Sequence, residues 1–425
     1  MNTNSLAEDF IATRRRSLEI CAPLEKEDYG LQAATFASPP KWHLAHTTWF
    51  FETFLLKVFA EAYEALDARY EVLFNSYYNG IGEQHPRDRR GLLSRPLLEE
   101  VLDYRRRVEA AVLALLEHPA HAEYGLICER VTLGIEHERQ HQELFFTDIK
   151  YSLSANPLYP IYQACESGVA SDTNDGAGPA TWTVFDEALI EVGHSGEGFC
   201  FDNELPRHQV FTQAFELADR LVTNGEFQAF IDDGGYSRSD LWLADGWAMV
   251  QAEGWSRPLN WVEQKGDGNA GKSGALYEFT LHGLQTWDPV RPVCHVSGYE
   301  ADAFASWAKA RLPTEAEWER AAVSSQAPRQ KPAGHGVLQP EASEGGDLDQ
   351  LYGACWQWTR SAYGPYPGFK ASSGAIGEYN GKFMSNQWVL RGSSCVTPPS
   401  QARETYRNFF YPQDRWQFSG IRLAR

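Results

Sequence analysis

Apolar residues recur at helical spacing through roughly the first 155 residues of the chain. Each of four segments carries this pattern and predicts an amphipathic helix. They are LAEDFIATRRRSLEICAPL, KWHLAHTTWFFETFLLKVFAEAYEAL, SRPLLEEVLDYRRRVEAAVLALLEH and AEYGLICERVTLGIEHERQHQELFFTDIKYSLS. Ser38, Pro39 and Pro40 mark the start of the second helix, and Ser94 is a candidate N-cap for the third. Four amphipathic helices in this length of chain favour a four-helix bundle.

The segment between the second and third helices, EVLFNSYYNGIGEQHPRDRRGLL, has no clear helical or strand periodicity. Long loops in compact domains are often functional. We therefore expect this loop to contribute to a site.

The character of the chain changes after the fourth helix. Residues 166–181, ESGVASDTNDGAGPAT, are small, polar and Gly-rich, which predicts a linker. From Trp182 onward, short β-type runs such as TWTVFDEALIEVG alternate with Gly, Pro and Trp. Helical periodicity is clear only near TNGEFQAFIDDG and SGYEADAFASWAKA, and we expect residues 254–292 and 324–350 to be irregular.

These patterns predict an α+β multidomain protein. We place a helical bundle over residues 1–165, a linker over residues 166–181, and an α+β domain with little regular structure over residues 182–425.

Composition narrows the functional classes. The net charge is −19, which disfavours nucleic acid as a partner, because phosphate binding needs a basic face. No apolar run is long enough to span a membrane, and the N-terminus lacks the apolar stretch of a signal peptide, so we expect no membrane partner. The seven cysteines are scattered and never form a CxxC pair, which favours a cytoplasmic protein with reduced thiols. The sequence predicts no oligomeric state.

Two histidines on the fourth helix form the first candidate metal pair. His137 and His141, in HERQH, are spaced i,i+4, which places both imidazoles on one helix face. The same letters fit the HExxH pattern of zinc metalloproteases, with Glu138 as the general base. The alternative is two surface histidines on a polar helix face.

A second histidine pair, His43 and His46, lies near the start of the second helix in WHLAHTTWFFETF. Inward-facing histidines from two helices of a bundle can converge on one metal ion. Three neutral imidazoles leave coordination positions open and suit Fe(II), Zn, Cu or Ni. The pattern alone allows either His43 or His46 as the third ligand. A zinc hydrolase would need a further ligand after HERQH, and no histidine follows until His194.

Several motifs together resemble one known family. KWHLAHTTWFFE, LFNSYYN, HPRDRRGLLSRP and HERQHQELFFTDIKYSLSANPL are similar to the DinB-like four-helix bundle of the ergothioneine-pathway sulfoxide synthases. FDNELPRH, LVTNGEF, RLPTEAEWERAA, VLRGSSC and TYRNFFYPQDRWQFSGIRLAR resemble their second domain, an α+β domain of the formylglycine-generating-enzyme and C-type-lectin-like kind. The resemblance runs from about residue 10 to the C-terminus.

The resemblance implies a mononuclear non-haem Fe(II) held by His46, His137 and His141, with His43 packing or supporting a ligand. It implies that O₂ is a co-substrate and that a chalcogen atom is joined to imidazole C2 of hercynine, the trimethylated betaine of histidine. The usual donor in the family is cysteine or γ-glutamylcysteine. O₂ activation needs an open redox metal, which a three-histidine site provides.

The resemblance also implies a tyrosine acid that protonates the reduced oxygen. One branch of the family takes this tyrosine from the loop after YPGF, where Tyr379 is the only tyrosine here, and we expect Tyr379 not to occupy that place. The other branch uses a Tyr-Tyr pair, which matches Tyr77 and Tyr78 in LFNSYYN.

Other matched positions imply substrate contacts. Gln140 matches a position that hydrogen-bonds the substrate imidazole, and Asn408 matches one that contacts the betaine carboxylate or backbone. Phe409 and Phe410 follow and could wall the pocket around the quaternary ammonium.

The resemblance also implies a site for the donor. Arg87 and Arg90 match positions that bind the donor carboxylate.

Several positions depart from the family pattern, among them Ser393 in RGSSC where RGGSC is usual. Asn260 follows Pro258-Leu259 where a tyrosine is frequent, and GACWQWT brings Cys355 and Gln357 where GNVWEWT is common. These departures put the donor in doubt. A sister branch, the selenoneine synthases, uses a selenosugar on the same hercynine carbon, and the sequence leaves a selenosugar and a cysteine-type thiol equally open. A zinc hydrolase and a non-catalytic lectin-like binding module are the hypotheses from other classes.

Overall fold

The computed structural model describes residues 3–164, 178–196, 198–264, 275–325 and 338–425. The chain divides into two compact units. The first comprises Met1–Leu158 and Ala371–Tyr379, and the second comprises Tyr159–Lys370 and Asn380–Arg425. Most of the linker predicted over residues 166–181 lies outside the described residues. The predicted domain limits of 1–165 and 182–425 therefore stay predictions.

The first unit is helical. Its helices are α1 (Thr3–Cys21), α2 (Pro40–Phe51), α3 (Lys57–Phe59), α4 (Tyr70–Phe74), α5 (Leu98–Leu116) and α6 (Tyr124–Ser154). A π-helical segment, Glu52–Leu56, joins α2 to α3. The four long helices α1, α2, α5 and α6 occupy the four segments whose periodicity predicted them, because a buried apolar stripe at helical spacing needs a helix to face one core.

Close packing of α2 against α6 depends on Gly134. A Cβ atom added at Gly134 would lie 2.3 Å from Cε1 of Phe51, so any side chain there would push the two helices apart. Phe51 also packs edge-on against Phe10 of α1, with ring centroids 5.0 Å apart. The close approach brings the histidine-bearing stretches of α2 and α6 together.

The start of α5 differs from the prediction. Ser94 does not cap this helix, since α5 begins at Leu98 and the N–H of Leu97 donates to Oε2 of Glu100 at 2.6 Å. Pro96 disfavours helical backbone at the residue before it, so the helix starts only after the proline. None of the helices within the described ranges is both long and apolar enough to cross a membrane.

The second unit mixes strands and helices. Its strands are β1 (Trp182–Phe185), β2 (Ala188–Val192), β3 (His208–Thr212), β4 (Phe215–Ala218), β5 (Trp261–Gln264), β6 (Ala275–Thr280), β7 (Gly283–Thr286), β8 (Trp356–Ala362), β9 (Trp388–Gly392), β10 (Asn408–Phe410) and β11 (Ser419–Gly420). Its helices are α7 (Asn224–Asp232), α8 (Ala244–Glu253), α9 (Gly298–Trp307) and α10 (Glu315–Ser324).

The strands form small sheets. The described residues contain a four-stranded sheet in the order β10-β9-β8-β11, a three-stranded sheet β5-β6-β7, and the pairs β1-β4 and β2-β3. All neighbours are antiparallel except β11, which lies parallel to β8. A helical unit followed by this mixture confirms the predicted α+β multidomain class.

The prediction of only two clear helices in this half is wrong. The structure adds α8 and α10, and β5 to β7 run through a stretch expected to be irregular. The start of α10 had a readable signal: Oγ1 of Thr314 accepts from the N–H of Glu317, whose carboxylate accepts from the N–H of Thr314. This capping box is visible in the letters TEAE.

Candidate metal centre

Three histidine side chains converge inside the helical unit. His46 of α2 and His137 and His141 of α6 each offer one ring nitrogen, and these nitrogens lie within 4.8 Å of one another. Nε2 of His46 is 3.2 Å from Nε2 of His137. Two imidazoles bound to one metal at about 2.1 Å with an angle near 100° would have nitrogens about 3.2 Å apart. The spacing therefore fits a shared metal ion.

Hydrogen bonds orient the His46 ring towards the centre. Its Nδ1 lies 2.6 Å from the carbonyl oxygen of Phe74, so Nδ1 carries the proton and Nε2 presents its lone pair. Trp42 stacks on the same ring at 4.6 Å and 9°. The Nδ1 atom of His137 is buried and has no hydrogen-bond partner among the described residues. Backbone and aromatic contacts thus fix the orientation of His46 before any metal binds.

His141 is oriented by a relay rather than by the backbone. Its Nδ1 lies 2.9 Å from Nδ1 of His43, and Nε2 of His43 lies 3.1 Å from Oδ2 of Asp148. The same Asp148 oxygen accepts from the N–H of Ser38 at 2.8 Å. With His43 and His141 both neutral, the Asp148 carboxylate accepts a hydrogen bond from Nε2–H of His43. Nδ1 of His43 then accepts a hydrogen bond from Nδ1–H of His141, which leaves the lone pair of Nε2 of His141 for a metal. His43 therefore contacts His141 from behind, and it is His46 whose ring nitrogen lies with those of His137 and His141.

Burial keeps the three converging imidazoles neutral. It is the largest cause that lowers the pKa of His46, His137 and His141 well below the usual value, and the neighbouring histidines lower each pKa further. Neutral imidazole is the form that coordinates a metal. Three nitrogen donors with open positions fit Fe(II) as well as Zn, Cu or Ni, so the residues present fit the implied iron.

Glu138 does not face this centre. Its carboxylate is fully buried and accepts from Arg14 Nη1 at 2.9 Å, Arg105 Nη2 at 2.9 Å and the Ser17 hydroxyl at 2.6 Å. Burial raises the pKa of Glu138, but the two guanidinium groups and the serine outweigh it, so the pKa lies below the usual value. Two guanidinium groups and a hydroxyl on a neighbouring face of the helix engage both carboxylate oxygens, which argues against the HExxH hydrolase hypothesis.

Arg90 and Arg87 differ in burial. The Arg90 guanidinium lies 3.5 Å over the Trp42 ring and donates to the Ser38 hydroxyl at 3.0 Å. Trp42 in turn stacks on His46, so a cation, an indole and a ligand imidazole form one column. Arg87 is exposed. Only Arg90 of the predicted pair is packed against the histidine cluster.

The expectation that Tyr379 lies elsewhere is wrong. Its hydroxyl donates to Oε1 of Gln140, and its ring centroid lies 5.6 Å from that of His137 and 6.4 Å from that of Phe50. Residues 371–379 belong to the helical unit although they are distant in sequence. The local sequence KASSGAIGEYNGKFMS does not predict that Tyr379 contacts Gln140.

Tyr77 and Tyr78 form a stacked pair in the loop after α4. Their ring centroids are 4.5 Å apart, and their hydroxyls are 3.4 Å apart. Tyr78 is fully buried beside Trp49 and Phe54. Burial, and then the neighbouring phenols Tyr77 and Tyr379, raise the pKa of Tyr78 well above its usual value. The hydroxyl therefore stays protonated near neutral pH.

The other predicted substrate contacts lie in the second unit. Asn408, Phe409 and Phe410 form β10, which pairs with β9. Phe409 stacks on Tyr363 with centroids 4.0 Å apart, and Phe410 packs edge-on against Trp416 at 5.4 Å. Their roles as substrate contacts stay predictions.

Gln357, one of the departures from the family pattern, takes part in a buried hydrogen-bond network. Gln357 is fully buried, its Oε1 accepts from Trp318 Nε1 and Arg422 Nε at 2.8 Å each, and its Nε2 donates to the carbonyl of Leu351 at 2.9 Å. Both ends of the Gln357 amide therefore hydrogen-bond to groups of the protein itself.

The backbone conformation explains Asn260, whereas nothing in the structure explains Cys355. Asn260 has φ +74°, a left-handed backbone that asparagine tolerates better than most residues. Cys355 is fully buried, and burial raises the pKa of its thiol well above the usual value. The described cysteines are all free thiols.

Family comparisons match both parts of the chain. Residues 9–145 match the model of the DinB superfamily. Residues 177–344 and 331–425 match the model of the sulfatase-modifying factor enzyme 1-like domain. The two models occur in the order that the sequence motifs predict.

Three similar proteins match this chain over half of its length or more. A hercynine oxygenase of Mycolicibacterium thermoresistibile is 30% identical over 99% of this chain and 94% of its own length. A hercynine oxygenase of Mycobacterium tuberculosis is 32% identical over 68% of this chain and 70% of that protein. Ergothioneine biosynthesis protein 1 of Schizosaccharomyces pombe is 24% identical over 53% of this chain and 28% of that protein. The chain therefore belongs to the ergothioneine-pathway sulfoxide synthase family, whose similar bacterial members are named hercynine oxygenases.

Proposed function

We propose that this protein is a non-haem Fe(II)- and O₂-dependent oxidoreductase that forms a C–S or C–Se bond at imidazole C2 of hercynine. The observation that carries the proposal is the convergence of His46, His137 and His141 beside the hydrogen-bonded pair of Gln140 and Tyr379. This reaction needs a metal with open coordination positions, an amide that hydrogen-bonds the substrate imidazole, and a phenol that donates a proton.

His46, His137 and His141 would hold the iron. When bound, Fe(II) supplies open coordination positions and the one-electron chemistry that O₂ activation requires. In the sulfur reaction, the imidazole C2–H and thiol S–H bonds break and a C–S bond forms. One oxygen atom goes to sulfur and the other leaves as water, so the atoms balance without another reductant.

Gln140 and Tyr379 act on the substrate side. Gln140 binds the hercynine imidazole through its amide and holds C2 in one orientation. Tyr379 donates the proton of its hydroxyl to the oxygen atom that leaves as water. Its hydrogen bond to Gln140 supports this assignment, because one contact then positions both the bound imidazole and the proton.

Tyr77 and Tyr78 are the alternative acids. The buried hydroxyl of Tyr78 has Tyr77 as its neighbour, and the pair lies in the loop that the sequence marked as functional. Replacement of each tyrosine by phenylalanine separates the three candidates. The acid is the tyrosine whose loss lowers kcat by about 10²- to 10⁴-fold.

The donor is either a cysteine-type thiol or a selenosugar. The buried Nε of Arg90 has no hydrogen-bond partner among the described residues, which favours an added acceptor such as a carboxylate. A selenosugar has no carboxylate, and its hydroxyls would have to take that place. The left-handed backbone at Asn260 and the buried hydrogen bonds of Gln357 account for these two departures, so neither of them argues for one donor.

A donor comparison tests the function. The Fe(II)-loaded protein is mixed without oxygen with hercynine and cysteine, γ-glutamylcysteine or a selenosugar, and O₂ is then added. Mass spectrometry should detect an O₂-dependent adduct of hercynine with one donor class. The proposal is contradicted if no donor gives product, or if the protein retains zinc and acts without O₂.

A further inference from the structure

A single carboxylate joins the Tyr379 segment to the tyrosine loop. Oε2 of Glu378 accepts from the backbone N–H of Asn79 at 3.0 Å, and Oε1 accepts from the N–H of Gly80 at 2.6 Å. Asn79 and Gly80 directly follow the tyrosine pair of the loop. A carboxylate that accepts two consecutive amide protons is a strong and directional contact.

Gly80 allows this contact to form. A Cβ atom at Gly80 would lie 2.9 Å from Oε1 of Glu378 and 3.1 Å from Cβ of Ala375. The backbone of the loop therefore approaches the 371–379 segment more closely than a side chain would permit. The contact therefore depends both on the Glu378 carboxylate and on the missing side chain at Gly80.

Glu378 is followed directly by the tyrosine that reaches the histidine cluster. The N–H of Tyr379 donates to the carbonyl of Ile376 at 3.3 Å, which closes a short turn, Ala375–Glu378. Because adjacent residues share a peptide plane, a fixed Glu378 fixes the point from which the Tyr379 side chain extends. Tyr379 is buried although Glu378 and Asn79 lie nearer the surface.

We propose that Glu378 is a positioning residue that holds the Tyr379 hydroxyl against Gln140 by clamping its segment to the loop at Asn79 and Gly80. Its catalytic consequence rests on the proposed function. The proposed action of Glu378 on turnover is the placement of Tyr379; its carboxylate also contributes to the raised pKa of Tyr78. The clamp itself is a structural property that can be measured without turnover.

Amide exchange measures the clamp directly. The N–H groups of Asn79 and Gly80 lie in an exposed loop, so their protection depends on the Glu378 carboxylate. In Glu378→Ala, their hydrogen exchange should be faster by about 10- to 100-fold. Ser373→Ala, an exposed change in the same segment, is the matched control and should leave exchange as in the original protein.

The tyrosine is monitored by fluorine NMR. In protein labelled with 3-fluorotyrosine, the Tyr379 resonance is assigned by its absence in Tyr379→Phe. In Glu378→Ala this resonance should move towards the position of free fluorotyrosine. Gly80→Ala should cause the same move from the other side of the clamp. Unchanged exchange and an unmoved resonance in Glu378→Ala would overturn the proposal.

Kinetics then separate a positioning residue from a catalytic one. Glu378→Ala should lower kcat by about 10²-fold with little change in KM for hercynine, since misplacement of a reacting group by about 1 Å has such an effect. Glu378→Gln, which keeps an acceptor oxygen, should recover part of that loss. In a Tyr379→Phe background, Glu378→Ala should cause no further loss of kcat, whereas a full additional loss would contradict action through Tyr379.

The outcomes distinguish the inference from the proposed function. If the original protein forms no product with any donor while exchange and the fluorine resonance change as expected, the clamp stands and the enzymatic proposal fails. If product forms but Glu378→Ala leaves exchange, the resonance and kcat unchanged, the enzymatic proposal stands and the clamp fails.

Discussion

The two faces of α6 treat charge in opposite ways. On one face, His137 and His141 are kept neutral by burial and meet His46. On the other face, Glu138 is ionised between Arg14 and Arg105. The residues are adjacent in sequence, but the helix turns by about 100° per residue, so neighbours belong to different environments.

The difference shows why HERQH was ambiguous as a motif. The two histidines alone need one face, whereas the hydrolase reading also needs the glutamate beside the metal. Here the glutamate serves the packing of α1 and α5 against α6 through buried ion pairs. A matched set of substitutions on the two faces can break or sharpen this comparison.

The largest effect is expected from the histidine face. His137→Ala should abolish stoichiometric metal binding and O₂-dependent product, because one of three ligands is lost. Metal content by mass spectrometry and a turnover assay check this. His118→Ala, an exposed histidine near the end of α5, is the control and should keep both. Full metal content in His137→Ala would refute the assigned ligand set.

Substitution on the face of α6 that carries Glu138 should instead change the free energy of unfolding. Glu138→Gln removes the carboxylate that the buried Arg14 and Arg105 share and leaves Glu109 as their acidic neighbour, and it should lower the free energy of unfolding by about 3–5 kcal/mol. The folded fraction should still bind one metal ion. Denaturant unfolding measures the change, and Glu129→Gln, exposed on the same helix, should stay within about 0.5 kcal/mol. Loss of activity with metal content and stability unchanged would restore the hydrolase reading, in which Glu138 is the general base.

A smaller effect is expected from the relay behind His141. Asp148→Asn weakens the acceptor of the His43 proton and should lower metal affinity about 10- to 100-fold, as for other groups that orient metal-binding histidines. Competition with a chelator measures the affinity. His43→Leu should lower it similarly, and the two changes together should add little. Independent, additive losses would show that Asp148 and His43 do not act in one chain.

The smallest effects separate two glutamines, Gln140 and Gln142, which lie on nearly opposite faces of α6. Gln142 donates to the carbonyl of Thr13 at 2.9 Å and to the Ser17 hydroxyl at 3.0 Å, so Gln142→Ala should cost about 1–3 kcal/mol of stability. Gln140→Ala should change stability less and raise KM for hercynine. Unfolding and steady-state kinetics on both variants give the comparison. Equal effects of the two changes on KM would show that position on the helix face does not decide function.

Much of the fold could be predicted because its signal is local. The apolar periodicity of α1, α2, α5 and α6 is repeated within each helix, and the motifs of the second unit predicted its class. The start of α5 was misplaced because Pro96 restricts the residue before it, and α10 was missed although its capping box is visible in the sequence. Local rules thus set element type better than element limits.

By itself, the sequence determined which residues share a helix face, and its family resemblance selected His46, His137 and His141 as a ligand set. Only the tertiary structure decided that Tyr379 reaches Gln140, 239 positions earlier in the chain. It also decided that Glu138 belongs to Arg14 and Arg105. The physical reason is that helical periodicity is encoded within a few turns, whereas the partner of a buried polar group is set by the path of the whole chain.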